Sequence, residues 1–286
     1  MPAKLAYEPS ESPRVSVIIP SRDGFRDGAV PRLMDQIKAQ TFGNVEIILV
    51  IGERPNGHAR NVGVEIARGK HFIFVDDDIT LGSSHIIQKI VSVLDSDPTL
   101  GGVGTSCLAP TDSTWFQKRV AKEVIGTTPV VDEVTYGGLI MHACLAIPSK
   151  VYDEIGGESD TLETGTDTDV RIRIDRAGYR TALVPDSWVY HPQDKTLRQF
   201  VMHYWWYGKG TPQMAELYPE HIGKTIESYW GALLYMVHGL VTFLPRIFLE
   251  SRHAKPGFTP LNALADTVRR ISYGYHWMRK RNHRKR

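Results

Sequence analysis

Two cysteines in 286 residues, Cys107 and Cys144, are too few for a disulfide scaffold, and neither sits in a CxxC or Cys/His spacing that would hold zinc. Their apolar neighbours predict buried, reduced thiols. Net charge is also scarce. The 34 Lys and Arg against 32 Asp and Glu leave +2, so no chain-wide basic field exists for nucleic acid. Positive charge gathers only in the closing stretch "RRISYGYHWMRKRNHRKR", and no RNA- or DNA-binding motif accompanies it. There is no internal repeat. The opening "MPAKLAYEPSESPR" lacks the apolar segment of a secretory signal, so a cytoplasmic location is expected.

What is present is a series of short apolar runs. "RVSVIIP" (14–20), "VEIILVI" (45–51) and "HFIFVDD" (71–77) read as buried strands. Between them, "AVPRLMDQIKAQ" and "GHARNVGVEIARG" have helical spacing, the second ended by Gly69. Helix "SSHIIQKIVSVLDSD", opened by Ser83 or Ser84, and strand "GGVGTSC" follow. Such alternation predicts an α/β fold, with parallel pairing in an open sheet covered on both faces. From about Val130 the text is mixed. "TYGGLIMHACLAIP" is expected to be a strand, Pro148 to begin a short helix, and "DTDVRIRIDRAG" to be a helix ended by Gly178. "YRTALVP" and "SWVYHP" read as two short strands. Helices should dominate beyond Thr196, giving domains of 1–195 and 196–286.

Strand 71–77 runs into three consecutive acids, Asp76, Asp77 and Asp78. In open α/β sheets ligands bind outside the carboxyl ends of strands. Carboxylates crowded there repel one another unless a cation offsets them. Hard divalent ions take one or two carboxylates plus substrate phosphates. The triplet therefore suggests a metal-diphosphate site, the plain alternative being a solvated acidic loop.

The surroundings narrow the choice. "HARNVGVEIARGKHFIFVDDD" resembles the family 2 glycosyltransferases of GT-A fold, whose middle segment reads R-N-x-G-x-x-x-A-x-G-x-Y/F-I/L-x-F/V-x-D-x-D. Arg60, Asn61, Gly63, Ala67, Gly69, Phe72, Ile73, Asp76 and Asp78 fill those places. "SVIIPSRDG" is similar to the family's opening strand. "ETGTDTDVRIRIDRAGYRTALVPDSWVYHP" is similar to its acceptor segment, with Gly165, Asp167, Asp169, Arg173, Gly178, Tyr179, Pro185 and His191 in place. The likeness covers roughly residues 14–210.

By that resemblance the fold is GT-A, a Rossmann-like open mixed sheet flanked by helices, here with a C-terminal helical extension. The chain would move a sugar from a nucleotide-diphosphate donor to an acceptor hydroxyl, with inversion and with Mn²⁺ or Mg²⁺ as cofactor. Asp78 and His191 would hold the metal. Asp76 would contact the nucleoside side of the donor, and Asp77 would tune the field. Pro20, Arg22, Glu53, Arg60 and Asn61 would line the nucleotide-sugar site. Asp167 would be the general base, supported by Asp169. Three departures qualify the reading. The usual D-D-G-S after the second strand is "VIGERPNG" here, so Glu53 stands in or the base is read otherwise. The glutamate of the acceptor segment's E-D pair is Thr166. No Q-x-x-R-W follows, the segment reading "FVMHYWWYGKG", so transfer of a single sugar is expected rather than polymer synthesis. Two alternatives remain: a sugar nucleotidyltransferase, disfavoured because "PSRDGFRDG" replaces its G-x-G-x-R loop, and a non-catalytic sugar-nucleotide-binding or scaffold protein.

The most apolar stretch is "YWGALLYMVHGLVTFLPRIFL" (229–249), interrupted by His238 and Pro245. Its roughly sixteen residues before Pro245 fall short of the ~20 of a spanning helix, so a buried or interfacial helix is expected. Trp205, Trp206 and Trp230 lie upstream or within it, and Arg246, Arg252, Lys255 and the basic tail lie downstream. Aromatics beside basic residues suit an anionic membrane surface. The expected partners are therefore a nucleotide-sugar donor, a glycan or lipid-linked acceptor and the inner face of a membrane.

Overall fold

The computed structural model describes residues 2–9, 12–124, 126–222, 226–248 and 258–283. Arg252, Lys255 and residues 284–286 of the basic tail lie outside them. In chain order the elements are β1 (Ala3–Tyr7), β2 (Val15–Ser21), α1 (Ala29–Lys38), β3 (Val45–Ile51), α2 (Asn56–Val64), β4 (His71–Val75), β5 (Thr80–Leu81), α3 (Ile86–Ser96), β6 (Leu100–Leu108) and α4 (Trp115–Glu123). They continue with β7 (Thr135–Tyr136), β8 (Cys144–Pro148), α5 (Ser149–Glu154), α6 (Thr166–Arg176), β9 (Arg180–Tyr190), α7 (Leu197–Leu217), α8 (Pro219–Ile222), α9 (Tyr229–Val241), α10 (Phe243–Arg246) and α11 (Pro260–His283).

The chain forms two compact units. The first comprises Met1–Pro110, Thr128–Thr161 and Thr166–Pro192 and contains the sheet. Its strand order is β1-β3-β2-β4-β8-β6-β9-β5, with β7 also on β9. β2 pairs parallel to β3 and β4, and β6 pairs parallel to β9. β8 lies antiparallel between β4 and β6, so the sheet is mixed where alternation alone suggested parallel pairing. The central strands are buried along their length because both faces are covered: one core gathers Val17, Ile19, Ile73 and Ile90, the other Ile18, Phe74, Leu145 and Val170.

Local chemistry explains several departures from the expected elements. β1 lies in the opening stretch, where no strand was expected; it pairs antiparallel to β3 as an edge strand and exposes Lys4 and Leu5. The segment 135–148 is not one strand, since only its two ends pair and Gly137 takes φ +70 between them. The two strands expected in 179–192 are one, β9, with Asp186 at φ 45 where the register on β6 shifts. α2 ends at Val64, before Gly69, and α3 begins at Ile86 rather than beside the two serines.

Gly63 and Gly69 owe their places to close packing. A Cβ on Gly63 would lie 2.5 Å from Ile18 Cγ2, and one on Gly69 would lie 2.5 Å from the Ser16 nitrogen. They let α2 and the loop after it press against β2. Buried Glu46 completes that join, accepting from the Ser16 hydroxyl (2.6 Å), the Arg68 N–H (2.7 Å) and the Arg68 guanidinium (2.8 Å).

The second unit comprises Thr111–Thr127, Leu162–Gly165 and Gln193–Arg286. It is helical, as expected beyond Thr196. Phe200 of α7 packs with Val120, Val124 and Ala265, so α4, embedded in the first 195 residues, shares a core with the C-terminal helices. α7 starts at the Thr196 cap, whose hydroxyl accepts the Gln199 N–H.

Candidate active site

The carboxyl ends of β2 and β4 and the amino end of β8 meet at one edge of the sheet. β8 runs against its neighbours, and Val75 pairs with Cys144. The residues that lead into β8 therefore arrive beside the residues that leave β4. β9 pairs Tyr190 with both Thr80 and Leu108, which brings His191 to the same edge.

The three acids after β4 have different surroundings. Asp77 is the most enclosed. It accepts the Ser21 hydroxyl at 2.7 Å and Arg26 Nη1 at 2.6 Å. Burial pushes its carboxyl up from the ordinary range, against Ser21 and Arg26, which pull it down. Asp78 pairs with Arg26 Nη2 at 2.5 Å and lies 3.5 Å from His191 Nε2. Asp76 lies 3.9 Å from the same His191 nitrogen and 3.3 Å from Arg60 Nη2. Arg26 and the next residue, Asp27, adopt φ 42 and 53, left-handed backbone uncommon away from glycine. Such outliers concentrate at working sites.

Arg60 on α2 is fully buried. Its Nη1 donates to Glu158 Oε2 at 3.1 Å, while Nη2 reaches Asp76. His142, just before β8, is buried between two carboxylates. Its Nε2 lies 2.7 Å from Glu158 Oε1, and its Nδ1 pairs directly with Asp167 Oδ1, which also accepts the His142 main-chain N–H at 3.0 Å. Five side chains thus run Asp76, Arg60, Glu158, His142, Asp167, alternating in charge.

The electrostatics follow from that alternation. Burial pushes the His142 imidazolium down and Arg60 adds to the push, but Glu158 and Asp167 outweigh both and raise it from 6.5 to about 9. A doubly protonated ring then donates from both nitrogens. Burial raises Glu158, but Arg60 and His142 bring it below its usual range. Asp167 is likewise raised by burial and lowered by His142, with the net shift downward. It stands in the first turn of α6, where the helix dipole also favours a carboxylate, and 44% of its side chain is exposed.

The other expected site residues fall around this chain. Asn61 donates to the Glu158 carbonyl and Asp160 Oδ1, both at 2.8 Å, and accepts from the Glu158 N–H and the Tyr152 hydroxyl, so it fixes loop 157–160. Asp169 is buried and pairs with Arg173, which donates to the carbonyls of Ile155 and Gly157. Glu53 lies beside His58, at 3.3 Å. Pro20 is buried in β2, level with Val50 of β3, and Arg22 is exposed.

Sequence reading missed four participants: Ser21, Arg26, His142 and Glu158. Local spacing carries no sign of them. The available signal was a histidine beside an apolar run and a glutamate after Gly-Gly, polar groups that burial would oblige to find partners. The donor set suits a hard cation only in part. Among the described residues no three His, Cys, Asp or Glu side chains are grouped to hold an ion. Asp78 and His191 are near enough to share one; the carboxylate suits Mg²⁺ or Mn²⁺, while the imidazole is a softer donor than Mg²⁺ favours.

Residues 6–204 match the family described as Glycosyltransferase like family 2. An uncharacterized glycosyltransferase of Haemophilus influenzae is 24% identical over 186 residues, 56% of this chain and 61% of that protein. The uncharacterized protein y4gI of Sinorhizobium fredii is 24% identical over 229 residues, 63% of this chain and 24% of that protein. The chain therefore spans less than two thirds of either curated relative. Among solved structures, a Pyrobaculum calidifontis mannosyltransferase in complex with GDP-Man and Mn²⁺ superposes with a TM-score of 0.52 at 17% identity, covering 99% of this chain and 79% of that one. That likeness is one of fold, the GT-A arrangement of an open mixed sheet between helices.

Proposed function

The chain belongs to glycosyltransferase family 2, and on that premise we propose that it moves a single sugar from a nucleotide-diphosphate donor to an acceptor hydroxyl with inversion. The observation that carries this reading is the charge-alternating chain from Asp76 to Asp167, which ties the acids at the end of β4 to a half-exposed carboxylate on α6. A direct displacement needs both ends: a place for the departing diphosphate and a carboxylate for the acceptor proton.

Asp78 and His191 would hold Mn²⁺ or Mg²⁺, which when bound offsets the charge gathering on the leaving diphosphate. Asp76 faces the nucleoside side of the donor, and Pro20, Arg22, Glu53 and Asn61 border the nucleotide site. Asp77 anchors the triplet through Ser21. The acceptor oxygen attacks the anomeric carbon as the bond from that carbon to the diphosphate oxygen breaks, and the nucleoside diphosphate leaves with the electron pair. Asp167 takes the acceptor proton on Oδ2, because both contacts from His142 fall on Oδ1. Asp169 supports it indirectly by fixing Arg173 and the start of α6. The absence of Q-x-x-R-W favours one transfer per encounter. The acceptor is a glycan or lipid-linked hydroxyl met at the cytoplasmic side of a membrane.

The His142–Asp167 pair also favours a second reading, a sugar-nucleotide-binding protein without turnover, because an imidazolium partner weakens a carboxylate as a base. Donor hydrolysis and transfer assays with Mn²⁺ or Mg²⁺ separate the two. Asp78→Ala should lose metal-dependent nucleotide binding. Asp167→Asn should bind nucleotide normally and lose turnover by about 10²–10⁴-fold. Normal turnover by Asp167→Asn would remove the base assignment, and no turnover by the wild type with any nucleotide sugar would favour the binding protein.

A further inference from the structure

We propose that the outer face of α9 and α10 seats the protein on an anionic lipid bilayer, lying in its surface. The starting observation is a stripe. Trp230, Leu234, Leu240, Val241, Leu244 and Phe248 are each 58–74% exposed, spaced so that successive turns point the same way. This face is not needed to hold the helices in place. The opposite face does that, with Ala232 and Gly239 buried against α11: Thr267 donates to the Gly239 carbonyl at 3.1 Å, and a Cβ on Gly274 would lie 3.1 Å from the Ala232 carbonyl. α9 is thus apolar on both sides, one side packed and one in water. A contiguous apolar face of this kind on a soluble unit marks a contact surface.

Length and charge identify the occupant. No helix among the described residues is long and apolar enough to cross a membrane, which leaves contact along the surface. From residue 246 onward the sequence carries eleven Lys and Arg against two acids, Glu250 and Asp266. Asp266 alone takes Arg246, Arg269 (3.1 Å) and Arg270 (2.6 Å), three guanidiniums on one carboxylate. These three guanidiniums against one carboxylate leave positive charge in excess where α10 packs on α11, the sign that anionic headgroups beside an immersed stripe would need. A second copy is the poorer occupant, because a two-fold contact on this face would bring the same excess positive charge near itself. This inference stands apart from the transfer chemistry and is read without any donor.

The test uses the full chain with vesicles of phosphatidylcholine alone and of phosphatidylcholine with phosphatidylglycerol. The wild type should co-sediment with the second kind, and added salt should weaken the binding several-fold. The triple variant Leu234→Ser, Val241→Ser, Leu244→Ser should lose about tenfold or more of its vesicle partition while keeping its circular dichroism spectrum and Tm. In wild type, brominated lipid should quench a part of the tryptophan fluorescence that is missing in Trp230→Phe. The proposal is overturned by wild type that ignores both kinds of vesicle. It is equally overturned by a triple variant that binds as well as wild type, or by vesicle-free dimerisation that the triple variant abolishes.

Discussion

Asp167 Oδ1 takes both contacts that His142 offers it, the main-chain N–H at 3.0 Å and the imidazole Nδ1. One residue thus sets both the position and the charge of the proposed base. His142→Gln should keep the backbone contact and lose the imidazolium. The expected result is a kcat lower by roughly ten- to hundredfold, as for a misplaced reacting group, with donor KM little changed. Steady-state kinetics across pH checks it, and an unchanged kcat would detach His142 from the reaction.

The same histidine makes stability fall with alkali. Its folded value, about 9, lies above the 6.5 of a free imidazole. The native state therefore binds the proton more tightly, and that contribution is complete below about pH 6.5 and lost as pH rises through 9. Between pH 6.5 and 9.5 the wild-type Tm should fall by about 3 °C or more beyond the fall in His142→Gln. Parallel thermal melts of the two proteins would measure it.

Glu158 is the only carboxylate in direct contact with both Arg60 and His142 among the described residues. Glu158→Leu leaves two buried cations facing an apolar group, at a cost of about 3–5 kcal/mol. Adding Arg60→Met should restore part of the loss. Urea unfolding of the two single variants and the double variant gives the coupling, and strict additivity would count against a shared network.

Arg26 grips Asp77 and Asp78 from a half-exposed position. A cation arriving at Asp78 has to loosen that grip. Arg26→Ala should tighten Mn²⁺ binding in the absence of nucleotide by roughly three- to tenfold, about 1 kcal/mol, the size of an exposed ion pair. Isothermal titration with the metal alone is the measurement, and weaker binding would mean that Arg26 helps form the metal site.

Gly63 is set by packing rather than chemistry. Gly63→Ala would push a methyl group to 2.5 Å from Ile18 and 3.0 Å from Val50, costing about 1–3 kcal/mol. The midpoint of chemical unfolding should drop, while the activity of the folded fraction is retained.

The fold was legible where burial on both faces wrote long apolar runs, as in Val45–Ile51 and His71–Val75, and where glycines marked close approach. It was obscure at the edges. β1 has one exposed side, so its five residues carry little pattern, and β9 hides a bend at Asp186 that reads as a turn. At the candidate site the acids after β4 and Asp167 were visible because their neighbours form recognisable strings. His142 and Glu158 were not, because they meet only when antiparallel β8 carries one to the ligand edge and loop 157–160 folds the other beneath it. Tertiary pairing across 16 residues leaves no local period to read.

The interleaving of the two units has a consequence for any attempt to dissect the protein. The chain leaves the sheet at Thr111, returns at Thr128, leaves again for Leu162–Gly165 and departs finally at Gln193. Cutting after Pro192 would strip α4 of Phe200 and Ala265, baring Val120 and Val124. The sheet-bearing unit cannot be lifted out as a cassette, and chimeras made by swapping the C-terminal helices would have to carry α4 with them.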